Sequence, residues 1–72
     1  MSPSLPVLSG ASVVRALVSV GFAQISQRGS HVKLRRDRLT VIVPLHRELA
    51  PGTLRSILRQ AEMTPEEFVK LV

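Results

Sequence analysis

The spacing of hydrophobic residues changes period along the chain, and each change predicts an element. Behind Ser9, residues Val13, Val14, Leu17 and Val18 recur at helical spacing. A helix is therefore predicted over about Gly10 to Val20, with Ser9 as N-cap and Gly21 as a left-handed stop. From Phe22 the pattern becomes short runs, Phe22 to Gln27, Ser30 to Arg36 and Leu39 to Pro44, separated by Arg28-Gly29 and Asp37-Arg38. This predicts a three-stranded antiparallel meander. With two-residue turns, Ile25 is expected opposite Val32 and Ala23 opposite Leu34 across the first hairpin. Leu34 then faces Val41 and Val32 faces Val43 across the second, so that the apolar residues share one face. His31, Lys33 and Arg35 occupy the other face, with Ile42 as an apolar intruder. After Leu45 to Ala50, Pro51 opens a second helix whose Leu54, Ile57, Leu58 and Ala61 form an i, i+3, i+4, i+7 stripe, leaving Arg55 and Arg59 on a different side. Thr64-Pro65-Glu66-Glu67 reads as a capping box with proline at the first helical position, starting a short helix whose Phe68 and Leu71 can return to the core.

The order is thus α-β-β-β-α plus a short final helix, an α+β fold with helices on one face of an antiparallel sheet. Seventy-two residues suffice for one domain, 1–72, in which 1–8 form an extended N-terminal segment. No cysteine is present, so neither a disulfide framework nor a thiolate metal site is expected, and the cytoplasm is the default compartment. Met1 to Leu8 contains two prolines and no basic residue, unlike a signal peptide, and no apolar run approaches a membrane span. A soluble protein without a membrane partner is expected.

Charge narrows the class of partner. Lys and Arg number 10 against 5 Asp and Glu, a formal net charge of +5. Eight of the 10 are arginines, whose planar fork suits phosphate. Such an excess on a small domain favours a polyanion, most often nucleic acid; the plain alternative is a surface charged for solubility. The two aromatic residues, Phe22 and Phe68, both fit the core, which argues against a stacking platform for single strands.

RNA brings its own nucleophile, a 2′-hydroxyl beside the scissile phosphate. A cleaving protein therefore needs a proton acceptor and donor plus positive charge for the phosphorane. His31, at the head of a strand beside a tight turn, can exchange a proton near neutral pH. Arg28, Lys33 and Arg35 can hold phosphate next to it. The same histidine also fits an ordinary exposed position on a basic strand, and spacing alone does not choose between the two. His46, two residues past the expected partner of His31, Pro44, is either a second acid-base group or a loop histidine ahead of the next helix. No carboxylate or cysteine stands at ligand spacing from the two histidines, so no metal is assigned. A Gly-rich phosphate loop, paired carboxylates and a nucleophile elbow are all missing, and Ser30 is only a sequence neighbour of His31. No cofactor is expected.

Four blocks then carry a family resemblance: Ser9-Gly10 opening a helix that ends Val20-Gly21-Phe22; Arg28-Gly29-Ser30-His31; Val43-Pro44-Leu45-His46; and Pro51 through Ala61. In this order and spacing, over nearly the whole chain, they resemble the HicA toxins of bacterial toxin–antitoxin systems, the YcfA-like family. These are small mRNA interferases with a fold like the double-stranded RNA-binding domain. The resemblance implies a metal-independent endoribonuclease that cleaves mRNA by histidine general acid-base catalysis, with His31 catalytic. Arg28, Ser30, Lys33 and Arg35 are then the expected RNA contacts, and an acidic-surfaced HicB-like antitoxin the protein partner. The Asp37-Arg38 turn is shorter than the Gly-containing turn common in the family, and Ala61-Glu62-Met63 lacks the glycine often found after this helix. The lysine cluster that double-stranded RNA-binding domains place at the start of their last helix is replaced by Pro51-Gly52-Thr53, whose free amides suit either a phosphate or a plain helix start. Two other readings of the basic face remain: a noncatalytic RNA-binding module of the same fold, and a protein-interaction module meeting an acidic protein.

Overall fold

The computed structural model describes residues 5–72, and its elements run α1 (Gly10–Ser19), β1 (Ala23–Arg28), β2 (His31–Arg36), β3 (Leu39–Pro44), α2 (Pro51–Gln60) and α3 (Pro65–Val69). The three strands form one antiparallel sheet in the order β1-β2-β3. This is the expected α+β arrangement, with the α-β-β-β-α order of a double-stranded RNA-binding-domain-like fold. Of the expected extended segment 1–8, residues 1–4 lie outside the described residues. Leu5 and Leu8 rest half-buried on the core, and the Leu49 N–H donates to the Leu8 carbonyl at 2.8 Å.

Both longer helices end by the same device. At the end of α1 the Gly21 N–H donates to the Val18 carbonyl and the Phe22 N–H to that of Leu17, both at 3.1 Å. At the end of α2 the Glu62 N–H reaches Arg59 at 3.1 Å and the Met63 N–H reaches Leu58 at 2.9 Å. These paired bonds are Schellman motifs, which need a left-handed residue just past the cap. Gly21 fills that position with φ +103° and Glu62 with φ +53°. Arg36 closes α1 further, donating from Nη1 to the Val20 carbonyl at 2.7 Å and lying 4.6 Å from the centre of the Phe22 ring. The buried face of α1 is Gly10, Val13, Ala16 and Leu17, whereas Val18, placed in the stripe by spacing, is half exposed. The expected capping box is present at α3: the Glu67 N–H donates to Thr64 Oγ1 at 3.1 Å and the Thr64 N–H to Glu67 Oε1 at 2.8 Å.

The second hairpin has the expected register, with Arg36 opposite Leu39, Leu34 opposite Val41, Val32 opposite Val43 and His31 opposite Pro44. The first does not. Its loop is Gly29-Ser30 rather than Arg28-Gly29, so Arg28 pairs with His31, Gln27 with Val32 and Ser26 with Lys33. A β-bulge between Gln24 and Ser26 then shifts the ladder, pairing Gln24 with Leu34 and Ala23 with Arg35. Ile25 lies in the bulge, half exposed, instead of opposite Val32. The turn explains the difference. Gly29 has φ +59° and Ser30 is not left-handed, a pattern that puts glycine first in the loop, as in type II′ turns.

Val32, Leu34, Val41 and Val43 form the covered face of the sheet, each at most 2% exposed, under α1 and α2, which pack against β3. Phe68 of α3 is fully buried in the same cluster. No polar side chain is buried among the described residues. β1 lies beyond the helices and all six of its residues are exposed. The opposite edge of the sheet is closed: Pro44 has no N–H, and the Ile42 N–H donates to Gln60 Oε1 of α2 at 2.9 Å. No helix among the described residues is long and apolar enough to cross a membrane.

Candidate functional site

The uncovered face of the sheet carries two rows of side chains that the register sets side by side. One row runs Arg28, His31, Pro44 across β1, β2 and β3; the next runs Ser26, Lys33, Ile42. Ser26, Arg28, His31, Lys33 and Ile42 line a depression of about 270 Å³. His31 thus stands at its strand start between two cations and beside a hydroxyl, with no carboxylate in the lining. An unopposed positive pocket of this kind attracts a phosphodiester and stabilises charge added to it. A larger concavity, about 380 Å³, lies against α1 around Ser12, Arg15, Ala16 and Leu71, but it contains no imidazole or carboxylate side chain suited to proton transfer.

The segment after β3 is tied to this site from two sides. The Leu45 N–H donates to the Ser30 carbonyl at 2.6 Å, extending the ladder one step beyond His31 and Pro44. The Gly10 N–H donates to the His46 carbonyl at 2.9 Å, bringing the start of α1 onto the same segment. A Cβ on Gly10 would overlap the Pro44 carbonyl oxygen, so glycine is required for that approach. The blocks Ser9-Gly10, Gly29-Ser30-His31 and Pro44-Leu45-His46, scattered in sequence, therefore meet around one strand end.

A family model for the HicA toxin of bacterial toxin–antitoxin systems matches residues 10–63. The chain belongs to the HicA toxin family. The matched span holds the whole depression, both hairpins and α2, and ends before the capping box of α3. No curated protein matches the chain.

The HicA fold brings Arg28, His31 and Lys33 into the depression and leaves the other sequence candidates around it. Arg35 is exposed farther along β2 and donates from Nε to the Asp37 carbonyl at 3.1 Å. Ser30 is exposed in the turn, where its carbonyl holds Leu45. His46 is exposed and does not line the depression; its carbonyl receives Gly10. Ser26 falls on the uncovered face in either register, opposite His31 in the expected one and opposite Lys33 in the observed one, but a lone serine on an exposed strand carries no sequence signal. A glycine-first loop, read from Arg28-Gly29-Ser30-His31, places Ser26 opposite Lys33. Ile42 was visible as an apolar residue on the wet face but carried no role.

Proposed function

We propose that this HicA-family protein, acting as one domain over 1–72, is an endoribonuclease toxin of the cytoplasm that cleaves mRNA with His31 as its acid-base group. The observation that carries this reading is the placement of His31 between Arg28 and Lys33 on the one sheet face that no helix covers. Neutral His31 takes the proton of the ribose 2′-hydroxyl as the 2′-oxygen attacks phosphorus. The bond from phosphorus to the 5′-oxygen breaks, and that oxygen leaves as a 5′-hydroxyl after receiving a proton from imidazolium or water. The other product end is a 2′,3′-cyclic phosphate. Arg28 and Lys33 neutralise the phosphorane, while Ser30 and Arg35 contact the strand on either side. His46 lies outside the depression, so the proton traffic is assigned to His31.

The lining of one imidazole, two cations and a hydroxyl is a donor set that disfavours a divalent cation, so the reading needs no metal. An acidic-surfaced, HicB-like antitoxin complements the same positive face and would silence the toxin by covering His31. The test uses purified protein in EDTA with an RNA oligonucleotide and its copy bearing a single 2′-deoxy residue at the cleaved position. Cleavage of the first to cyclic-phosphate ends, with the second left intact at that bond, is expected. Equal cleavage of both overturns the mechanism.

A further inference from the structure

The geometry points to Ile42 as the wall that receives a nucleobase, with one nucleotide of the RNA lying base-on-Ile42 and its phosphate over Lys33 and Arg28; this rests on the RNA-cleaving reading above. The uncovered face also carries Ala23, opposite Arg35, and Pro44, opposite His31, but neither lines the depression, where Ile42 is the one aliphatic side chain among Ser26, Arg28, His31 and Lys33. No helix covers that face, so Ile42 cannot gain burial from the core. Ile42 is nonetheless held firmly, paired with Lys33 across β2 and bonded through its N–H to Gln60 at 2.9 Å. Aromatic stacking is not on offer elsewhere, because Phe22 is 2% exposed and Phe68 is fully buried. A base that enters the depression beside His31 therefore finds Ile42 as its apolar wall.

The register sets the spacing. Pro44 is opposite His31 and Ile42 lies two residues back along β3, a diagonal relationship that separates the two side chains by roughly 7–8 Å. Lys33 stands directly across from Ile42. A nucleotide spanning that diagonal presents its 2′-hydroxyl toward His31, its base toward Ile42 and its phosphate toward the cations. Contact with an aliphatic wall discriminates by area rather than by hydrogen-bond pattern. The site accordingly favours purines over pyrimidines without reading a unique base.

The probe is a short RNA oligonucleotide made uncleavable by one 2′-deoxy residue, titrated into wild-type protein carrying a labelled Ile42 methyl group. An upfield ring-current shift of that methyl is expected, larger for a purine than a pyrimidine, and lost with an abasic residue on the same backbone. Ile42→Thr keeps a β-branched strand residue and is expected to raise KM about fourfold, what the loss of one methylene of apolar contact amounts to, with kcat nearly unchanged. An unshifted Ile42 methyl alongside shifted Arg28 and Lys33 signals overturns the base wall and leaves the RNA reading standing. If none of the three responds at low salt, both fail.

Discussion

The backbone N–H of Gly10 donates to the carbonyl of His46 at 2.9 Å, joining the first turn of α1 to the segment that continues the strand opposite His31. The approach is so close that a Cβ on Gly10 would overlap the Pro44 carbonyl and lie 2.8 Å from the Leu45 Cα. Backbone cannot step aside as a flexible side chain can. Gly10→Ala is therefore expected to cost about 2–3 kcal/mol, as overpacking of a rigid contact does. Gly52 in α2 meets nothing within 4 Å, and Gly52→Ala is expected to stabilise by about 0.5–1 kcal/mol through helix propensity. Thermal melts of the two variants check the contrast; a Gly10→Ala protein as stable as wild type contradicts the described contact.

Glu62 occupies the left-handed position of a Schellman motif with φ +53°, where Gly21 does the same work for α1. An L residue with a Cβ pays roughly 1–2 kcal/mol there, partly offset in a glycine variant by a more flexible unfolded chain. Glu62→Gly is expected to raise stability by about 0.5–1 kcal/mol in denaturant titration. A loss of stability would show that the Glu62 side chain contributes something its exposed position does not reveal.

The Glu67 carboxyl is held below its ordinary value of 4.5, chiefly because the Thr64 backbone N–H donates to it, with smaller help from the Thr64 hydroxyl and Lys70. A depressed folded-state value means the capping contribution is complete above the unfolded value and disappears as pH falls through the folded one. The stability advantage of wild type over Glu67→Gln is thus expected to be constant above pH 4.5 and to shrink below it. Urea titrations across that acid range read the difference directly.

The basic residues divide into two kinds. Arg36 is fixed on Val20 and Phe22, so Arg36→Ala is expected to cost about 1–2 kcal/mol of stability. Arg28 and Lys33 are exposed in the depression, and replacing either by alanine is expected to leave stability within about 0.5 kcal/mol. Each replacement should weaken RNA binding and flatten the dependence of log K on log salt by about 0.7 per lost phosphate contact. Melts paired with binding at several salt concentrations separate the two kinds. An unchanged salt slope for Lys33→Ala argues against its phosphate role.

The legible parts of the fold were those in which both partners of a contact carry a pattern. Val32 and Leu34 alternate against Val41 and Val43, so the second hairpin and the covered face followed from sequence. The first hairpin did not, because β1 buries nothing: Ala23 and Ile25 imitate an inward-facing alternation on an exposed edge strand, and a bulge absorbs the mismatch. His31 and Lys33 fall on one face because β2 is placed correctly, whereas Arg28, expected in the loop, joins them only when the loop is Gly29-Ser30. The roles of Gly10 and Gln60 depend on tertiary approach between distant segments, which no local spacing encodes. Arg36 read only as another cation, since its partners lie 14 and 16 positions away.

The proton transfer proposed for His31 is read by the single-turnover rate of RNA cleavage by His31→Ala against wild type, both in EDTA. A folded variant slower by roughly 10²–10⁴-fold is predicted, with RNA affinity retained. A variant that cleaves as fast as wild type rules out His31 as the acid-base group.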